Sequence, residues 1–99
     1  MSRVAASVAE TSLSETAYFF VHARADPGVM PRVLELFSKR GLVPSGWRST
    51  VSGPDLAGLT IEIHMRGLGG EITDYIAACL RQIVSVEAVL TYCQGHSAN

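Results

Sequence analysis

The order in which the hydrophobic repeat changes along the chain constrains its fold more than any other feature. Residues 17–24 (AYFFVHAR) are aromatic and β-branched, and residues 59–66 (LTIEIHMR) alternate between apolar and polar side chains, so both segments predict strands. Residues 29–41 place apolar side chains at helical spacing and stop at a glycine, and residues 71–83 repeat that spacing. Each of these strands is therefore followed by a helix.

Two further segments complete the pattern. Residues 42–53 contain Pro44, and because proline cannot donate to a strand ladder, this segment predicts an edge strand with an irregular start. The turn-forming run SGPDLAG predicts a hairpin loop, and the valine-rich residues 84–93 predict a last strand. The order predicts an α+β, ferredoxin-like βαββαβ fold, in which a four-stranded antiparallel sheet carries both helices on one face.

The apolar stripe of each helix predicts the side that packs on the sheet. In the first helix the stripe contains Val29, Met30, Val33, Leu34, Leu36 and Phe37. In the second helix it contains Ile72, Tyr75, Ile76, Cys79, Leu80 and Ile83. Both helices should therefore bury these side chains in one core.

The opposite face of such a sheet has no helix to cover it. The first strand is apolar on both faces, which predicts a central position in the sheet. The open face should carry Tyr18 and Phe20 from this strand, together with Val89 or Leu90 from the last strand. We expect another copy of the chain or a larger subunit to cover this face. Trp47 and Arg48, beside the broken edge strand, are further candidate interface residues; alternatively, the indole of Trp47 only covers the strand edge.

Size and charge exclude several classes of protein. A chain of 99 residues is one domain, which we place at residues 17–94, with residues 1–16 and 95–99 as disordered tails. A net charge of −1 lacks the basic footprint of a nucleic-acid binder, and no apolar run is long enough to span a membrane. The two cysteines are too far apart for a zinc pattern, and nothing resembles a secretion signal. We expect a cytoplasmic protein without a cofactor.

The stretch RADPGVMPRVLELFSKRG places a marked turn at the start of the first helix. Pro31 lacks an N–H and fits best within a first helical turn, so the helix should begin near Pro27 or Gly28. Free backbone N–H groups at that end would suit a ligand carboxylate, which Gly28 would allow to approach closely. In the alternative interpretation Asp26 caps the helix and Gly28 only relieves the turn.

The same stretch, DPGVMPRVLELFSKRGL, resembles the signature of ACT domains, in which Pro-Gly and an apolar residue open the first helix and Phe-Ser-x-Arg-Gly closes it. Within that family, residues 17–94 are most similar to the small regulatory subunit of acetolactate synthase. The resemblance implies a non-catalytic homodimer, formed by sheet extension, that binds a small amino acid and modulates the thiamine-diphosphate-dependent catalytic subunit of acetolactate synthase. Its implied effector-binding residues are Ala25, Asp26, Pro27, Gly28, Val29, Met30, Val43 and Pro44.

Two of these positions depart from the family. Where valine-responsive members carry an asparagine before the turn and another after the helix, this chain has Ala25 and Val43. Pro44 also stiffens the second half of the implied site. The resemblance therefore predicts weak valine binding or none, although a role in activation or assembly does not require it.

Other functions are less well supported by the residues. His22, His64 and Cys93 have no ligand spacing in common, so solvated or partner-facing side chains are a better interpretation than a metal site. An acylphosphatase-like enzyme would need an asparagine to position water, and the only asparagine is Asn99. An RNA binder of this topology would need stacking aromatics on the third strand, which has none. A stand-alone ACT sensor of another small molecule stays open as the alternative.

Overall fold

One antiparallel sheet with the strand order β2-β3-β1-β4 forms the base of the fold, and two helices pack on one of its faces. The computed structural model describes residues 15–95. The elements are β1 (Thr16–Arg24), α1 (Val29–Ser38), β2 (Gly46–Ser52), β3 (Gly58–Arg66), α2 (Gly70–Leu80) and β4 (Val86–Gln94). The predicted ferredoxin-like fold is confirmed. β1 begins one residue before the predicted domain boundary, and most of both predicted tails lies outside the described residues.

β1 is the central strand that its two apolar faces predicted. It pairs with β3 on one side and β4 on the other, so its whole ladder is inside the sheet. Alternation in β1 and β3 sends one set of side chains into the core, as predicted for β3. This buried set is Ala17, Phe19, Val21, Ala23, Leu59, Ile61, Ile63 and Met65.

The helices complete this core from one side. α1 contributes Val29, Val33 and Phe37, all fully buried. The rings of Phe19 and Phe37 meet edge to face with centroids 5.7 Å apart, which joins the centre of the sheet to the end of α1. Leu34, predicted to lie on the packed stripe, is instead exposed on the solvent side of α1. The core therefore depends on three α1 side chains one turn apart.

The buried face of α2 differs from the predicted one. Ile72 and Tyr75 are 51% and 57% exposed, whereas Thr73 and Ala77 are buried beside Ile76 and Leu80 in their place. Small side chains let the helix lie close to the sheet, and the Thr73 hydroxyl donates to the Gly69 carbonyl at 2.9 Å, so its burial leaves no polar group unpaired. A prediction from hydrophobicity ranks Ile and Tyr above Thr and Ala. The predicted buried face of α2 is therefore displaced by about one residue from the observed one.

Both edge strands are shorter than predicted. β2 lies at the sheet edge and begins only at Gly46, after an irregular stretch tied down by the Ser45 N–H, which donates to the His64 carbonyl at 2.8 Å. β4 begins at Val86 because Ser85 has a positive φ of 81°, which turns the chain between α2 and the strand. The edge position of β2 and its irregular start are as expected from Pro44.

Within residues 15–95, neither helix is long and apolar enough to cross a lipid bilayer.

Candidate functional site

The turn between β1 and α1 is held by the carboxylate of Asp26. The Gly28 N–H donates to Asp26 Oδ1 at 3.0 Å, and the Val29 N–H donates to the Asp26 carbonyl at 3.0 Å. Asp26 Oδ2 accepts a bond from the Ser85 hydroxyl at 3.2 Å, although Ser85 is 59 residues away in sequence. The carboxylate thus joins the turn before α1 to the turn before β4.

The pKa of Asp26 is lowered from its ordinary value of 3.8. The hydrogen bond from the Gly28 N–H is the largest cause, followed by the Ser85 hydroxyl, because both stabilise the ionised form. Partial burial opposes them, and the positive charges of Arg32 and Arg24 add smaller contributions in the lowering direction. Asp26 is therefore a carboxylate at neutral pH.

The Asp26 contribution to stability should be lost in acid. Because its folded-state pKa lies below the unfolded value, the contribution is fully present above about pH 3.8 and disappears as the pH falls through the lower, folded-state pKa. Asp26→Asn should melt at a lower temperature than the parent at pH 6, and the difference should shrink as the pH drops below 3.8. Thermal melts of both proteins between pH 6 and pH 2.5 measure this, and a gap that stays constant in acid contradicts the assignment.

Gly28 does not need its conformational freedom here. Its φ of −76° and ψ of −10° are ordinary helical values. A Cβ at this position would lie 3.0 Å from Nη1 of Arg32, the far end of a flexible side chain that can move away. The carboxylate of Asp26 closes the turn from within by binding the Gly28 N–H, and it does not form the helix cap of the alternative interpretation.

An open depression lies against this turn. It encloses about 430 Å³ of empty space, part of it open to solvent. Its lining residues come from the turn, α1, β2 and β3, and they are Ala25, Asp26, Pro27, Met30, Val51 and Leu59. Four of the eight residues implied by the resemblance therefore line one surface, which is apolar apart from Asp26.

Val43 and Pro44 lie at the other end of the domain. Gly46 is level with His64 and Tyr18 across the sheet, whereas the turn follows Arg24. From Tyr18 to Arg24 the strand rises about 20 Å, so a small ligand at the turn cannot also touch Val43 of the same chain. The side chain of Val43 is 83% exposed there.

The open face of the sheet carries the aromatic surface that the sequence predicted. Cross-strand pairing places Tyr18 beside Tyr92 and Phe20 beside Leu90, and the two β4 residues are 57% and 59% exposed. Leu90, not Val89, is the β4 residue on this face. The Tyr18 ring lies edge-on to His64 with centroids 4.6 Å apart. The face therefore leaves apolar side chains of β4 open to solvent.

Charged side chains border the aromatic surface on the β2 side. Glu62 Oε2 lies 2.7 Å from His64 Nε2, and Arg48 is directly opposite Glu62 on β2. Trp47 is opposite Ile63 and so points to the helix side, where it packs half-buried against the core. Its indole N–H donates to the Ser49 hydroxyl at 2.9 Å. Of the four predicted interface residues, Tyr18, Phe20 and Arg48 share the open face, and Trp47 covers the strand edge.

The two histidines and Cys93 do not converge. His22 and His64 project from the open face, whereas Cys93 follows the alternation of β4 to the opposite face. Among residues 15–95, no group of three or more His, Cys, Asp or Glu side chains could hold a metal ion. His22 instead lies 3.4 Å from the Thr60 hydroxyl through Nδ1.

A contact between the helices was missed by sequence reasoning. The Arg40 guanidinium lies 5.3 Å from the centre of the Tyr75 ring and donates to the Tyr75 hydroxyl at 3.2 Å. It also donates to the Leu36 carbonyl at 3.0 Å, which satisfies an acceptor at the end of α1. The available signal was an arginine two residues after the end of α1, but its partner could not be known while Tyr75 was assigned to the core.

Comparison with known proteins places this fold among ACT domains. No protein-family model matches the chain, and no curated protein matches it. The ACT domain of GTP pyrophosphokinase from Chlorobium tepidum matches with a TM-score of 0.66 and 11% identity over 80% of this chain and 88% of that one. The C-terminal domain of the MgtC protein from Mycobacterium tuberculosis matches with a TM-score of 0.65 and 22% identity over 88% of this chain and 96% of that one.

The regulatory subunit of aspartate kinase from Thermus thermophilus also matches, with a TM-score of 0.62 and 12% identity over 81% of this chain. This chain spans about half of that subunit, 51% of its length. At these identities the likeness establishes the fold. The chain has the ferredoxin-like fold of ACT domains.

Proposed function

We propose that this chain is a non-catalytic regulatory subunit that binds the catalytic subunit of acetolactate synthase and raises its activity in branched-chain amino-acid biosynthesis. The observation that carries the proposal is the position of the signature DPGVMPRVLELFSKRGL, which forms the turn and first helix of a domain with the ACT fold. The partner enzyme would supply the thiamine diphosphate chemistry. This chain would supply only a surface whose binding favours the active form of its partner.

The open sheet face is the proposed docking surface. Phe20, Leu90 and Tyr92 present apolar area there, while Arg48 and Glu62 border it with charge, the usual arrangement of an apolar centre and a polar rim. A homodimer is part of the same proposal. The edge of β4 has no neighbouring strand within the described residues and could pair with a second copy, which would leave the face free for the catalytic chain.

A second candidate is an ACT sensor that acts on a different partner. Two observations favour it: Ala25 and Val43 lack the side-chain amides of the valine-responsive subunits, and similar solved domains belong to GTP pyrophosphokinase and to an aspartate kinase subunit. Domains with this fold thus occur with more than one kind of enzyme.

The test is a titration of the purified chain against the acetolactate synthase catalytic subunit of the same organism. The chain alone should form no acetolactate, and adding it should raise the rate of the catalytic subunit about fivefold or more, the lower end of typical coupling between sites. A pull-down under the same conditions measures the complex directly. No complex and no change in rate, with a chain that circular dichroism shows to be folded, would favour the sensor of another partner.

A further inference from the structure

A depression in the helix layer collects positive charge. It lies between α1 and Ile83, the third residue after α2, and encloses about 590 Å³ of empty space, part of it open to solvent. Its lining residues are Arg32, Glu35, Leu36, Lys39, Arg40 and Ile83. Three of the chain's eight Lys and Arg residues therefore line one depression, although the net charge of the chain is −1.

Helical spacing brings these side chains to one side of α1. Arg32 is about two helical turns from Lys39 and Arg40, so the three cations project from the same face. Leu36 is one turn from Arg32 on that face. Leu36 and Ile83 are half-buried, pack against the core and supply the apolar part of the lining.

The guanidinium of Arg40 is fixed between the two helices. Nη1 donates to the Leu36 carbonyl at 3.0 Å, and Nη2 donates to the Tyr75 hydroxyl at 3.2 Å and to the Cys79 sulfur at 3.8 Å. The hydrogen bond to Tyr75 is the largest cause that raises the pKa of Arg40 above its ordinary value, so the group stays charged. A guanidinium has five N–H donors, and these contacts leave about two of them for a further acceptor.

The ammonium group of Lys39 is not needed to cap α1. The carbonyls of Glu35, Phe37 and Ser38 already accept backbone N–H groups at the end of the helix. The ammonium lies 3.5 Å from Glu35 Oε2, and the two side chains are 68% and 59% exposed, so this ion pair is weak. With three N–H donors, the ammonium can bind another anion at the same time.

Arg32 contributes less to the depression than the other two cations. Its Nη1 atom lies close to Gly28, at the start of α1, and its charge acts on the carboxylate of Asp26. An anion in the depression should therefore sit beside Lys39 and Arg40.

We infer that this depression binds a small organic phosphate through the guanidinium of Arg40 and the ammonium of Lys39. A planar guanidinium matches the spacing of phosphate oxygens, and an ammonium beside it adds a second charge-assisted bond. The apolar part of the ligand lies against Leu36 and Ile83. The inference goes beyond the proposed function, because this depression shares no lining residue with the one at the β1–α1 turn and its ligand needs no catalytic partner.

Four probes test the ligand class: butyl phosphate, butanesulfonate, inorganic phosphate and 1-butanol. NMR titration of the full chain at neutral pH and low salt follows the amide signals of Leu36, Arg40 and Ile83. Butyl phosphate should bind about threefold more tightly than butanesulfonate, which carries less charge, and about threefold more tightly than inorganic phosphate, which lacks the apolar part. 1-Butanol should shift none of these signals. Equal binding of butyl phosphate and either other anion, or no shift with any probe at millimolar concentration, overturns the inference.

Substitutions assign the binding to these side chains. Arg40→Gln should weaken butyl phosphate binding about tenfold, because it removes a charge-assisted hydrogen bond. Glu35→Gln should strengthen binding about threefold, because it removes a carboxylate from the lining and releases Lys39. Arg66→Gln is the matched control. It removes the same charge from the exposed end of β3 and should leave the affinity unchanged.

A further variant separates binding from folding, because Arg40 also joins α1 to Tyr75. Lys39→Gln removes only an exposed ion pair, so its melting temperature should match that of the parent while its affinity for butyl phosphate falls about threefold. If Arg40→Gln and Lys39→Gln both bind butyl phosphate as tightly as the parent, or if Glu35→Gln binds it no more tightly, the cations only stabilise the end of α1 and the inference is wrong.

Discussion

Replacing Phe37 with alanine is expected to lower the free energy of unfolding by about 3–5 kcal/mol, the usual cost of emptying a buried phenylalanine site. The side chain is 0% exposed and its ring packs edge to face on Phe19. It also lies in the last turn of α1, where its contact with Phe19 joins the end of the helix to the sheet. Domains of this size are stable by only about 5–15 kcal/mol, so the variant should lose from about a fifth to all of its stability.

Urea denaturation of the parent and the variant, followed by circular dichroism, measures this loss. Leu34→Ala is the matched control, since Leu34 is on the same helix but 46% exposed, and it should change the free energy of unfolding by less than about 1 kcal/mol. Equal losses in the two variants would contradict the packing described for α1.

The second large effect concerns the open face. Phe20→Lys should reduce the affinity for the proposed catalytic partner by about thirtyfold or more, with loss of activation at concentrations where the parent saturates. Phe20 lies between Glu62 and Leu90 on neighbouring strands. A lysine next to Glu62 is tolerated by the free domain because opposite charges on paired strands attract, but its charge would have to be desolvated when a partner covers the face.

Leu34→Lys is the control for this experiment, because it places the same charge on the helix layer, away from the open face, and should leave activation unchanged. Sedimentation velocity of both variants separates loss of the partner from loss of the proposed homodimer. If Phe20→Lys activates the enzyme as well as the parent does, the open face is not the docking surface.

The ends of β1, β3 and β4 were predictable to within two residues because the signal of a strand is local, whereas β2 begins four residues after the predicted start. Alternation in LTIEIHMR assigns each side chain of β3 to a face before any neighbour is known, and β3 has the predicted faces. The predicted buried face of α2 was wrong because this signal ignores the neighbouring elements. The pattern ranks residues by hydrophobicity, but Thr73 and Ala77 are buried while Ile72 and Tyr75 are exposed, because tertiary packing decides which side of the helix meets the sheet.

The candidate site was less predictable than the fold. The sequence located the turn, and Ala25, Asp26, Pro27 and Met30 do line one depression there. It could not show that Val51 and Leu59 complete the lining, since both come from strands far along the chain. The grouping of Val43 with the turn came from the family resemblance, and within the chain the length of the sheet separates them.

The sequence by itself determined the order of the elements, the central place of β1 and the existence of an apolar open face, because hydrophobic periodicity and turn residues act over a few neighbouring positions. Only the tertiary structure decided what Asp26 does. Its carboxylate is held by the Gly28 N–H two residues away and by the Ser85 hydroxyl 59 residues away, and the second contact exists only after β4 has paired with β1. Likewise, the register of β2 on β3 decided that Arg48 faces outward and Trp47 faces the helices, because a shift of one residue would exchange them.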